Sequence, residues 1–169
     1  KMSKIIAIML LLCCGMMLFG CADDNGRRKA EQQKTIVVTD SVGRKVELPY
    51  PLERVAVCNV YNAELITAVG AIDKIVGVDN YIFKDQSGFK NRFNEAQVFG
   101  ISQNAMNYEK LAELAPQAVI ITGEGTWRDA QEMLDRFGIK VIVVNSYYTD
   151  QFADNCRLVG RIFGREEQA

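Results

Sequence analysis

The feature that most constrains this chain is a rhythm that begins at residue 54. Short, wholly apolar runs recur, and stretches with helical spacing separate them. The runs are residues 54–58 (Arg-Val-Ala-Val-Cys), 74–78 (Lys-Ile-Val-Gly-Val), 118–122 (Ala-Val-Ile-Ile-Thr) and 140–144 (Lys-Val-Ile-Val-Val). They are too short for helices and too uniformly apolar for strands with one wet face. Asn62 reads as the N-cap of a short helix over 64–69 stopped by Gly70, and Asn107 as the cap of a helix over 108–115 closed by Pro116. Residues 126–137 read as an amphipathic helix ended by Gly138, with Ala130, Met133, Leu134 and Phe137 inward. Residues 150–163 form the last helix, ended by Gly164. Strands buried on both faces and alternating with helices predict an α/β fold. Its form is a three-layer sandwich around a mostly parallel sheet.

Such sheets bind ligands beyond the carboxyl ends of their strands. The loops there carry Asn59-Val60-Tyr61, Asp79-Asn80-Tyr81, Gly123-Glu124-Gly125-Thr126-Trp127 and Asn145-Ser146-Tyr147-Tyr148. Rings therefore crowd one rim of the sheet, which suits a large, flat or partly apolar ligand. A ring at a strand end can equally just cover the sheet. Tyr61, Gln103 and Trp127 are candidate ligand contacts by loop position. Lys84, Lys90 and Arg92, in the polar and aromatic excursion over 79–97, would suit an anionic ligand or simply a solvated loop.

Before the rhythm starts, residues 35–39 and 44–48 are two strand patterns around Asp40-Ser41-Val42-Gly43, a turn signal. Pro49 and Pro51 end the pairing. Residues 22–34 are polar, with no apolar side chain larger than alanine, too little to offset the entropy of ordering. They read as a tether. Ahead of them, residues 5–19 are apolar apart from Gly15 and follow Lys1 and Lys4. Spanning a bilayer takes about 20 apolar residues, so this run reads as a signal-peptide core. It ends at Phe19-Gly20-Cys21, which resembles a bacterial lipobox, although Phe19 is bulkier than is usual there. The expected organisation is a signal peptide over 1–20 and a lipid-anchored tether over 21–34 beginning at Cys21. An α/β lobe over 35–164 follows, and then the start of a further helix over 165–169.

Composition removes several classes. The chain has 20 Lys and Arg against 21 Asp and Glu, and loss of Lys1 and Lys4 with a signal peptide makes the rest more acidic. A nucleic-acid partner, which needs clustered positive charge, is not expected. Histidine is absent, so the clusters that hold naked zinc or manganese are missing. An enzyme on this sheet would need a phosphate loop, a nucleophile motif or an acid/base pair. No G-x-G-x-x-G follows a strand and no G-x-S-x-G occurs. An enzyme without a recognisable motif, or an adhesive lipoprotein, stays open as a rival class. Beyond Cys21, Cys58 and Cys156 read as small hydrophobes, too few for a disulfide scaffold.

The order of motifs from residue 35 to the end resembles the binding proteins of iron-siderophore and cobalamin ABC importers. The resemblance rests on Val38-Thr39-Asp40-Ser41-Val42-Gly43-Arg44, then Val46, Pro49, Pro51, Arg54-Val55 and Glu64-Leu65. It continues through Asp73-Lys74-Ile75-Val76-Gly77, Asn107-Tyr108-Glu109, Leu114-Ala115-Pro116, Phe137-Gly138-Ile139-Lys140-Val141, Gly160, Gly164 and Glu167. Gln117 departs from it, where the family usually has a structural Asp, and this puts the local capping in question. The resemblance implies an extracytoplasmic, membrane-anchored binding protein of two α/β lobes joined by one long helix, without a cofactor. Its partners would be a chelate and an ABC permease. The residues here would be the N-terminal lobe, with the linking helix starting near 166, and alone they would bind weakly or not at all. The chelate order is ferric siderophore first, cobalamin second and haem third, with molybdate-like oxyanions open. By the same resemblance, Tyr81 matches a ring that touches cobalamin in a relative, and Glu109 an acidic residue that meets a permease arginine. Glu109 could equally be a carboxylate balancing a helix end.

The anchor gives a first prediction. Cys21→Ala should abolish lipid labelling and release the protein from membranes, as radiolabelled-palmitate incorporation and fractionation would read. A variant that stayed lipidated would place the anchor on another cysteine.

Overall fold

In the computed structural model, which describes residues 34–169, the four apolar runs are four parallel strands. The expected signal peptide, Cys21 and the tether up to residue 33 lie outside the described residues. The chain opens with an antiparallel hairpin, β1 (Thr35–Thr39) and β2 (Lys45–Pro49). Then come β3 (Val55–Val57), α1 (Val60–Ala68), β4 (Ile75–Val78), α2 (Asn80–Lys84) and α3 (Tyr108–Leu114). β5 (Ala118–Ile121), α4 (Trp127–Asp135), β6 (Lys140–Val143) and α5 (Phe152–Phe163) complete the order. The sheet runs β4-β3-β5-β6 with every pair parallel. From β3 the chain steps to β4 on one side, then crosses back to β5 on the other.

Side chains alternate across the strands, so β3, β5 and β6 each feed two cores. Val55, Val57, Ala118, Ile120 and Ile142 pack with Ala63, Leu65 and Ile66 of α1, Val159 and Ile162 of α5, and Val38 and Leu48 of the hairpin. Ala56, Val119, Ile121, Val141 and Val143 pack on the opposite face with Leu111 of α3 and Ala130 and Leu134 of α4. Helices on both faces give the three layers expected from the unbroken apolar runs.

Local boundaries differ from expectation at three places. The N-cap of α1 is Asn59, whose Oδ1 accepts from the Tyr61 N–H at 2.9 Å. Asn62 is buried inside the first turn, donating to the Cys58 carbonyl at 3.2 Å and accepting from Ser146 Oγ at 2.6 Å. Asn59 takes φ 77°, a conformation asparagine tolerates, and so starts the helix earlier. Helix α4 stops at Asp135, and Phe137 lies beyond it with 47% of its surface exposed, while Ile139 fills the core instead. Glu166–Gln168, where a linking helix was expected to begin, is a single 3-10 turn. At Gln117 the departure from the family pattern leaves the local fold intact. Its Oε1 accepts from the backbone N–H of Glu53 at 2.7 Å and of Arg54 at 3.0 Å.

The hairpin turn is clipped to the sheet by one carboxylate. Asp40, 5% exposed, accepts from the N–H groups of Val42 (3.2 Å) and Arg44 (2.9 Å) through Oδ1. Its Oδ2 accepts from Arg44 Nε (2.9 Å) and Nη2 (2.7 Å) and from the Val143 N–H (3.3 Å). Removing one partner of a buried, hydrogen-bonded ion pair strands the other and typically costs 3–5 kcal/mol. Arg44 keeps partial solvent contact, so Asp40→Ala should lower stability by about 3 kcal/mol in urea unfolding. Asp154→Ala, in an exposed pair with Arg157, should leave it unchanged within error. Equal effects would show that the clip contributes no more than a surface pair.

Candidate functional site

The crossover from β4 back over β3 to β5 makes the loops after β3 and β5 diverge to opposite faces. Doubly wound sheets bind their ligands at this switch point. A concave space of about 600 Å³ opens there, walled by the loops after β3, β4 and β5 and by the segment around Ser102, Gln103 and Asn104. Its volume falls within the range of small-molecule sites, about 300–1,000 Å³.

The floor is polar but saturated. Asp79, 2% exposed, caps α2 by accepting from the Ile82 N–H at 3.0 Å. Its other oxygen accepts from the Asn59 N–H at 3.0 Å, tying the loop after β4 to the loop after β3. Burial raises the Asp79 carboxyl above its ordinary range, against the lowering effect of these backbone donors. Cys58 lies beside it, 1% exposed. Its thiol is pushed well above its usual value, first by burial and then by Asp79. A thiol held protonated in this way is an inert packing group. Cys156 is also a free thiol.

Gln103 forms a wall. Its Oε1 accepts from the Thr122 N–H (2.9 Å) and Oγ1 (2.8 Å), and its Nε2 donates to the carbonyls of Thr122 and Glu124. These bonds occupy the amide and brace the loop after β5.

Tyr61 and Tyr81 stand on the first turns of α1 and α2 and line the opening with 55% and 63% of their surface exposed. Large rings this exposed have few partners within the described residues. Trp127 does not join them. It is the first residue of α4, 8% exposed, and its side chain packs back among Ala130 and Leu134. Its ring lies between the guanidinium groups of Arg44 (4.2 Å) and Arg128 (4.1 Å). Trp127 therefore lies outside this concavity, packed into the core beneath α4. Tyr147 and Tyr148 lie against each other, centroids 4.3 Å apart and planes tilted by 44°, and do not line the concavity.

Lys84 and Lys90 line a separate depression with Phe83 and Phe93. Glu109 lies outside the concavity, exposed in the first turn of α3. There Asn107 Oδ1 accepts from the Lys110 N–H at 2.9 Å, and Lys110 pairs with Glu113, leaving the Glu109 carboxylate unpaired among the described residues.

The loop segments holding Asn59, Asp79 and Glu124 stand out in the sequence, but these residues do not, and neither do Glu64 and Thr122, which also line the concavity. An Asp or Asn directly after an apolar strand and before a helix was the available signal. Among the described residues, no group of three or more His, Cys, Asp or Glu could hold a metal ion. The arrangement offers aromatic faces, amide and hydroxyl groups and exposed carboxylates. These are the means of holding a molecule.

No curated protein sequence matches the chain. Among solved structures, a periplasmic solute binding protein from Veillonella parvula superposes with a TM-score of 0.65 at 24% identity, over 80% of this chain and 43% of its own. The petrobactin-binding protein YclQ from Bacillus subtilis gives 0.64 at 18% identity, over 80% and 47%. The molybdate periplasmic binding protein MolA from Haemophilus influenzae gives 0.65 at 19% identity, over 79% and 48%. The chain therefore spans less than half the length of these structures, and their likeness shows the fold of one lobe. The periplasmic binding protein family matches over residues 55–169, more than half of the chain, and the chain belongs to that family.

Proposed function

We propose that this protein is the substrate-binding component of an ABC importer, not an enzyme. It captures a metal chelate outside the cytoplasm, a ferric siderophore first, and delivers it to a membrane permease. The observation that carries the reading is the concavity of about 600 Å³ at the switch point, rimmed by Tyr61 and Tyr81. Two half-exposed rings over a saturated polar floor suit a ligand with flat, partly apolar surface that brings its own metal-coordinating groups. The petrobactin-binding structure supports a siderophore. The molybdate-binding one shows that the same fold takes an oxyanion, and cobalamin and haem are the alternatives that fit flat rings. Lipid anchoring through Cys21 would keep the protein at the membrane outer face.

The test is titration of the full-length protein with ferric siderophores, cobalamin, haem and molybdate, read by tyrosine and tryptophan fluorescence. Aromatic contacts contribute about 0.5–1.5 kcal/mol each. Tyr81→Ala should thus weaken binding of the chelate that titrates by about two- to tenfold. The melting temperature should hardly change, because the ring is mostly exposed. Unchanged affinity with lowered stability would make Tyr81 a packing residue.

Docking is separable from binding. A rim charge acts on association and orientation, whereas ligand affinity depends on the cleft. Glu109→Arg should leave chelate affinity intact and sharply reduce uptake by cells, with Glu109→Gln intermediate. Normal uptake with the charge reversed would remove Glu109 from the docking surface.

A further inference from the structure

The charge of the cleft narrows the chelate, an inference that rests on the reading above. The charged side chains lining the concavity are Glu64, Asp79 and Glu124, and no lysine or arginine lines it among the described residues. The three carboxylates are not equivalent. Asp79 is buried, with both oxygens held by backbone N–H groups. Glu64, on α1, and Glu124, in the loop after β5, are exposed. Neither is ion-paired among the described residues.

The basic side chains that could offset them are directed elsewhere. Arg44 and Arg128 lie over Trp127, and Lys84 and Lys90 line the separate depression. The rings act with the same sign as the carboxylates. An aromatic face carries negative quadrupole charge and attracts cations. Tyr61 and Glu64 are three residues apart on α1, which makes them neighbours on the helix surface.

We propose that this lobe selects its chelate by charge. Glu64 and Glu124, with the faces of Tyr61 and Tyr81, receive a cationic group on a chelate that is itself uncharged or positive. The same groups disfavour polyanionic chelates, whose charge would face unpaired carboxylates.

Three ferric probes test this on the full-length protein by titration. They are ferrioxamine B, a trihydroxamate chelate with a free ammonium; its N-acetylated, uncharged form; and a tricatecholate, a polyanion. An exposed ion pair and a cation–π contact together suggest that ferrioxamine B binds about tenfold tighter than the acetylated form. The tricatecholate should bind weakest. Glu64→Gln and Glu124→Gln should each narrow the ratio between the two hydroxamates, and added salt should narrow it further. A tricatecholate that binds as tightly as ferrioxamine B would overturn charge selection while leaving chelate capture standing. So would a ratio unchanged in both variants. Failure of all three probes to bind a protein that still unfolds cooperatively would instead sink the ferric-chelate reading, and the selection with it.

Discussion

A parallel sheet can leave neither face in water, and the rest of this lobe follows from that constraint. Crossover connections must carry a helix, and the helices must be shared between two faces. Here β3, β5 and β6 feed alternate residues to both cores, so covering one face alone would leave half of each strand wet. Sharing the helices forces the chain to reverse direction across the sheet between β4 and β5. The loops at that reversal part, and the concavity is the gap they leave. The site is a consequence of how the sheet is covered.

A gap between loops has no strand ladder to hold it, so polar side chains do so. Asp79 joins the loops after β3 and β4, and Gln103 braces the loop after β5. Asn145 accepts from the Gly123 N–H at 2.7 Å and joins the loops after β5 and β6. Each accepts backbone N–H groups that would otherwise lie unpaired near the cleft. With the backbone satisfied in this way, Tyr61, Tyr81, Glu64 and Glu124 stand exposed on a braced rim.

The strands were legible to within a residue or two because burial on both faces writes an unbroken apolar run. Asn107 was legible as a cap because it stands directly before the helical pattern at Tyr108, whose far end Pro116 marks. Asn59 was not, since Asn62 competed with it and a positive φ leaves no mark in composition. The burial of Trp127 was not legible because its place after a strand does not say which way its side chain turns. Once α4 begins at that residue, the ring packs into the helix's own core. Gln117 was flagged for lacking a carboxylate, but an amide oxygen accepts two backbone N–H groups as well as a carboxylate oxygen can. Which carboxylates face the cleft could not be read at all, because that depends on loops brought together from four parts of the chain.

The hairpin turn has a consequence beyond holding two strands to a sheet. Among the described residues β6 pairs only with β5, and its far side would present a row of open backbone groups on a Val-Ile-Val run. The turn occupies them: Asp40 takes the Val143 N–H, the Ser41 N–H reaches the Val143 carbonyl at 3.0 Å, and Arg44 reaches the Val141 carbonyl at 3.2 Å. At the opposite margin, Val98 bridges in parallel to Val78. Open, apolar sheet margins recruit strands from other molecules. Capping both margins from within the same chain denies neighbouring copies a template for growth.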